Sequence, residues 1–129
     1  MTALNHIRAM DVVAIFARDM PAMRRFYGEV MEFPLERELM PEWVEYRVGS
    51  SRIALTCLGL MFHDLPTPEG ALSLMLAFRV APNEVDACAT LLSTKGVPIL
   101  SPPIDQPWGH RTLYVRDPDG NVIEIYAEI

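Results

Sequence analysis

The chain has 129 residues, half of them hydrophobic, which suits one compact domain with enough apolar surface for a core. Its 17 Asp and Glu against 11 Lys and Arg leave a formal charge of -6, which opposes a nucleic-acid partner because such partners are held mainly by Lys and Arg neutralising phosphates. No stretch approaches the roughly 18 uncharged residues needed to span a bilayer, and Met1–Met10 lacks a long apolar run, so a cytoplasmic protein with no membrane partner is expected.

Met10 to Phe16 is rich in β-branched and apolar residues and predicts a strand. Asp19 is a good helix N-cap, with Pro21 in the first turn, and Met23, Phe26, Tyr27 and Val30 recur at helical spacing across Met20 to Val30. Gly28 weakens the end of that helix. Strands are expected at about Leu35 to Leu39, Val44 to Val48 and Arg52 to Leu58, which completes a βαβββ module spanning about 8–58. Residues 59–70, with Pro66 and Pro68 and no periodicity, read as a mobile connector.

The order then repeats in a second module, about 71–129: strand Leu72 to Val80, cap Asn83, helix Glu84 to Lys95, and Gly96 where a helix C-terminus takes glycine. Val85, Cys88, Ala89, Leu91 and Leu92 form the expected buried face of this helix. Cys57 and Cys88 match neither a zinc spacing nor a disulfide scaffold and read as buried small apolar residues. Val97 to Ile104, with Pro98, Pro102 and Pro103, suits an edge strand, and Leu113 to Val115 and Val122 to Tyr126 finish the sheet.

Arg116 to Asn121 reads as a type I turn with Pro118 and Asp119 central and Gly120 left-handed, a three-residue hairpin loop. Counting outward pairs Arg116 with Val122, Tyr114 with Glu124, Thr112 with Tyr126 and His110 with Glu128, all on one face. Leu113, Val115, Ile123 and Ile125 then lie under the helices. The same parity sends Leu74, Leu76, Phe78 and Val80 to the helices and Ser73, Met75, Ala77 and Arg79 to the other face.

The segments VAIFARDMPAMRRFYGEVMEFPL and WGHRTLYVRDPDGNVIEIYAE resemble the start and end of a vicinal-oxygen-chelate domain of the glyoxalase/bleomycin-resistance/dioxygenase superfamily. The resemblance covers nearly the whole chain. It implies an α+β fold in which two βαβββ modules form a curled mixed sheet around a cleft, one domain over 1–129. It also implies a homodimer, because pairs of chains in the family often cover open sheet edges. In metal-dependent relatives four strand positions supply ligands, and strand register carries these onto Val12, Ala54, Met75 and Glu124. Only Glu124 bears a suitable donor, so neither a metal nor another cofactor is expected.

On the cleft face, Glu124 reads as a general base, a counter-charge for a cationic ligand, or a carboxylate hydrogen-bonded by Tyr114. Trp108, on the Pro-bounded loop at Gln106 to Gly109, either stacks on a ligand or plugs the sheet end, and Trp43 either touches ligand or covers a dimer edge. His110 has a ligand reading and the plainer reading of an exposed pair with Glu128. Arg79, ahead of Arg47, could receive an anion. His6 and His63 read as surface residues, and Met31, Met40 and Met61 as gap-filling core or interface residues.

Three functions compete. The first is a binding protein whose metal-free cleft, lined by Phe16, Thr56, Met75, Trp108, Tyr114, Glu124 and Tyr126, sequesters a small aromatic molecule, neutral or cationic; Arg79 and His110 complete the candidate ligand-binding set. The second is a lyase or isomerase of glyoxalase type in which Glu124 abstracts a proton beside a carbonyl. The third is a dimeric module with a vestigial cleft.

Overall fold

The computed structural model describes residues 2–129, and the chain divides into two compact units, Met1–Asp64 and Leu65–Ile129. Each is a βαβββ module with its own open, mixed, four-stranded sheet. In the first unit, β1 (Val13–Ala17), α1 (Met20–Arg25), β2 (Leu35–Met40), β3 (Trp43–Val48) and β4 (Ser51–Cys57) follow in chain order, after a 3-10 turn at Ala3–His6. The sheet order is β1-β4-β3-β2, with β1 parallel to β4 and the other pairs antiparallel.

α1 starts as the sequence implies: the Asp19 carboxylate accepts the Ala22 N–H at 3.1 Å, and Pro21 occupies the first turn. It ends sooner than the periodicity suggests. Phe26–Val30 widen into a π-helical turn that carries the consecutive residues Phe26 and Tyr27, both buried and packed edge to face at 5.1 Å. Gly28 does more than weaken this turn, since a Cβ there would come within 3.2 Å of Tyr46 Cε1. Met23, Phe26 and Tyr27 cover the sheet face made by Ile15, Ala17, Val44, Tyr46, Ile53 and Leu55, all buried.

The second unit holds β5 (Met75–Arg79), α2 (Val85–Thr94), β6 (Ser101–Asp105), β7 (His110–Arg116) and β8 (Val122–Glu128), ordered β5-β8-β7-β6. The proline-rich β6 lies at the edge, where its missing N–H groups cost no ladder hydrogen bonds. Val13 pairs with Ile53 and Leu76 with Ile123, so the modules repeat with offsets of 63 residues in the first strand and 70 in the last. The hairpin register is the one the turn predicts: Arg116 with Val122, Tyr114 with Glu124, Thr112 with Tyr126, His110 with Glu128. Asp117 ties this turn, with Oδ1 accepting the Asp119 and Asn121 N–H groups at 3.0 and 2.9 Å and Oδ2 accepting Asn121 Nδ2 at 2.9 Å. Gly120 supplies the required φ of 91°.

Leu113, Val115, Ile123 and Ile125 are buried on the helix side, as are Val85 and Leu92 of α2. Several boundaries and burials differ from the sequence reading. β1 begins at Val13 and β5 at Met75, each three residues later than expected, because alternation alone does not say where a ladder partner begins. Asn83 is not a cap: it lies inside a 3-10 turn, Pro82–Glu84, where the Glu84 carboxylate reaches back to the Ala81 N–H at 3.2 Å. Leu91 is 47% exposed, Ala89, Cys57 and Cys88 are half-buried, and burial pushes the Cys88 thiol up. α2 does end on Gly96, with Val97 N–H bonded to Leu92 O and Gly96 N–H to Ser93 O, a Schellman pair. Met40 and Met61 are exposed and Met31 is half-buried, so none fills a core.

Candidate functional site

The face of the second sheet turned away from α2 is built in transverse rows by the strand registers. Ala77, Glu124 and Tyr114 form one row; Arg79, Tyr126 and Thr112 the next; Glu128 and His110 a third. Glu124 sits on β8 between two neighbouring strands and is only 9% exposed. Tyr114 donates its hydroxyl to Glu124 Oε2 at 2.7 Å, a charge-assisted bond. That bond, with burial, raises the Tyr114 phenol above its ordinary value, because losing the proton would set two anions side by side. No cationic side chain pairs with Glu124 among the described residues.

The other candidates on this face are engaged with one another. His110 stacks on Tyr126, with ring centroids 4.6 Å apart, and Arg79 pairs with Glu128 at 3.2 Å. The expected His110 and Glu128 ion pair is therefore replaced: the two residues are cross-strand partners, but the Glu128 carboxylate goes to Arg79. Gln106 Nε2 donates to Thr112 Oγ1 at 3.0 Å, fixing the start of the loop that carries Trp108, which is 60% exposed. Met75, 55% exposed, stands at the edge in β5.

Phe16 and Thr56 belong to the first unit, where they form a row with Trp43 and Met40 on the sheet face turned away from α1. Phe16 meets Phe62 edge to face at 6.2 Å. The next row holds Ala14, Ala54 and Glu45, and Glu45 is a buried carboxylate missing from the sequence reading. Trp43 Nε1 donates to its Oε2 at 2.7 Å and Arg37 Nε to its Oε1 at 3.1 Å, with Arg52 4.0 Å away. The Trp43 hydrogen bond, with Arg37 and Arg52, holds this carboxyl below its usual value against the opposing effect of burial. The alternation Trp43, Glu45, Arg47 along one strand was the available signal for placing Glu45 beside Trp43. Arg47 is committed to Glu36 and to the Gly49 carbonyl.

Of the four strand positions that would ligate metal, Val12, Ala54 and Met75 offer no imidazole or carboxylate. Among the described residues no three His, Cys, Asp or Glu side chains come together. This donor set does not fit a transition metal.

A family model described as the Glyoxalase/Bleomycin resistance protein/Dioxygenase superfamily matches residues 4–125. Among solved structures, a glyoxalase/bleomycin resistance protein/dioxygenase from Nocardioides aligns over 95% of this chain and 85% of its own at 22% identity, with a TM-score of 0.82. A lactoylglutathione lyase from Agrobacterium tumefaciens aligns over 92% of each chain at 25% identity and a TM-score of 0.75. A glyoxalase/dioxygenase from Nostoc punctiforme covers all of this chain and 97% of its own at 22% identity and a TM-score of 0.77. No curated protein matches by sequence.

Proposed function

Because the chain belongs to the glyoxalase/bleomycin resistance protein/dioxygenase superfamily, we propose that it holds a small aromatic, cationic molecule against the sheet face that carries Glu124. The observation behind this reading is a buried carboxylate with one hydrogen bond, from Tyr114, and no cationic partner among the described residues. A carboxylate at this depth whose only side-chain hydrogen bond comes from a phenol leaves one oxygen for a ligand cation, which would make a charge-assisted contact there. Tyr114 orients the carboxylate, and Tyr126 and His110 give an aromatic surface beside it.

Calorimetric titration with N-methylquinolinium and with 1-methylnaphthalene, which share a shape but not a charge, tests this. Glu124→Gln keeps an acceptor oxygen and removes the charge, so it should weaken the cation by about 1–3 kcal/mol and the neutral probe by less. Trp108→Ala should weaken both. Equal losses for the two probes at Glu124→Gln would remove the counter-charge role.

A second reading rests on the same carboxylate and on the similarity to a lactoylglutathione lyase. Tyr114 bonds Glu124 Oε2, and Oε1, which takes no hydrogen bond among the described residues and is not sealed from solvent, can accept a proton from carbon beside a carbonyl. Tyr114 would hold the carboxylate still for that transfer. Binding ranks ahead because the donor set supplies no metal to stabilise an enediolate oxygen. Turnover of a hydroxyacyl-thiol adduct that Glu124→Gln abolishes while affinity survives would reverse the ranking.

A further inference from the structure

On the helix side of the first unit, α1 and the π turn stand off from β2 and β3 and leave an open groove of about 650 Å³. Met20, Pro21, Phe33, Leu35 and Pro41 make its apolar walls, and Tyr46 lies at its floor. The floor is reachable because residue 28 is glycine: a side chain there would meet the Tyr46 ring at 3.2 Å from its first carbon. Leu35 is 50% exposed on the edge strand β2, so one wall is a large apolar side chain left in water.

Three charged side chains stand on the rim, Arg24, Arg25 and Glu29, and Glu29 is engaged in an interaction of its own. Arg24 is already paired with Glu38 at 2.7 Å, and its carbonyl accepts the Tyr46 hydroxyl at 3.3 Å. Arg25, in the last turn of α1, is exposed and has no ion-pair partner among the described residues. An apolar trough within the usual volume of ligand sites, with a single unpaired guanidinium at its lip, is complementary to an apolar body ending in a carboxylate.

We propose that this groove is a second binding site, distinct from the Glu124 face, for a small free carboxylic acid with an apolar chain or ring. The apolar part lies along Met20, Phe33, Leu35 and Pro41, and the carboxylate takes a forked hydrogen bond from Arg25. Its preference is opposite in sign to that of the Glu124 face, which lets the two be separated in one experiment.

Octanoate and octylammonium serve as probes of the same body and opposite charge, followed by amide chemical shifts of the full chain. Octanoate should shift residues 20–29, 33–35, 41 and 46 saturably, with octylammonium at least tenfold weaker there. Arg25→Gln, at an exposed position that leaves the fold intact, should cost octanoate about tenfold and octylammonium little. Gly28→Val should block both probes; if a thermal melt shows that it unfolds the unit, Arg25→Gln and the matched probes still decide. Octanoate shifts that map to 110–128, scatter over the chain or fail to saturate overturn the site. Equal binding of the two probes, or no effect of Arg25→Gln, overturns its anion preference. None of these results bears on Glu124→Gln with the quinolinium probe.

Discussion

Glu45→Gln isolates the charge of a buried carboxylate whose partners are all visible. Gln keeps an oxygen for the Trp43 indole but gives up the ionic component toward Arg37 and Arg52. Hydrogen bonds to charged groups contribute about 1.5–3 kcal/mol and neutral ones about 0.5–1.5, and Arg37 is half in water, so the net loss is about 1–2 kcal/mol. At an unfolding entropy of about 2.1 cal/mol/K per residue, a chain of this length shifts by about 4 °C per kcal/mol, which predicts a melting point lower by about 4–8 °C at pH 7. The hydrogen bond from Trp43 and the guanidiniums depress the folded pKa below the unfolded value, so this stabilisation is present above the unfolded carboxyl pKa and is lost as pH falls through the folded one. Wild type and variant should therefore converge in acid. Melts stepped from pH 7 to about pH 3 check this; equal melting points at pH 7, or a gap that persists unchanged into acid, would refute the account.

Asp117→Ala strands the buried Asn121 N–H and amide together with the Asp119 N–H, and denaturant unfolding should show a loss of about 2–4 kcal/mol while the Glu124 face keeps its ligand preference. Every residue of β2 is exposed, including Leu39 and Met40 on an open edge, so sedimentation at roughly tens of micromolar should find a dimer that Leu39→Glu dissociates; a monomer throughout argues against pairing at this edge.

Wherever two independent signals fell on the same residues, the fold was legible in the sequence. The turn from Asp117 to Asn121 fixes both a loop length and an αL position, and with them four cross-strand pairs and the side to which Glu124 points. Gly96 and Asp19 mark helix ends through backbone groups that need a partner, and both found one. The strands that begin late, at Val13 and Met75, and the half-buried Ala89 and Cys88 rested on hydropathy alone, which reports a tendency to bury but not the limits of the partner. Leu91 shows the cost of that: it falls on the apolar stripe of α2 yet remains half in water. At the candidate site, position was legible and partnership only in part: the Tyr114 hydrogen bond to Glu124 follows from the register, but the partner of Glu128 does not. His110 and Glu128 are opposite each other as counted, but Arg79 on the neighbouring strand competes for the same carboxylate, and a pairwise reading of one hairpin has no access to the third strand.

The repeat also locates where the two modules part in chemistry. In the first, the row across β1, β4 and β3 reads Ala14, Ala54, Glu45; in the second, the row across β5, β8 and β7 reads Ala77, Glu124, Tyr114. One carboxylate therefore stands in each row, but one strand apart. On β3 it lies within reach of Arg37 from the edge strand and Arg52 from β4, so its charge is neutralised within the module and Trp43 is held in place. On β8 its row neighbours are an alanine and a phenol, and the nearest arginine along β5, Arg79, is already taken by Glu128. The same template thus stores one satisfied charge and one that is hydrogen-bonded but unpaired. A satisfied pair gains little from a ligand, since any new contact must first displace an arginine, whereas an unpaired carboxylate gains the whole of a charge-assisted contact. That asymmetry, more than the count of aromatic residues on either face, favours the Glu124 face over the Glu45 face for a ligand cation and leaves the acid of the first module a structural role.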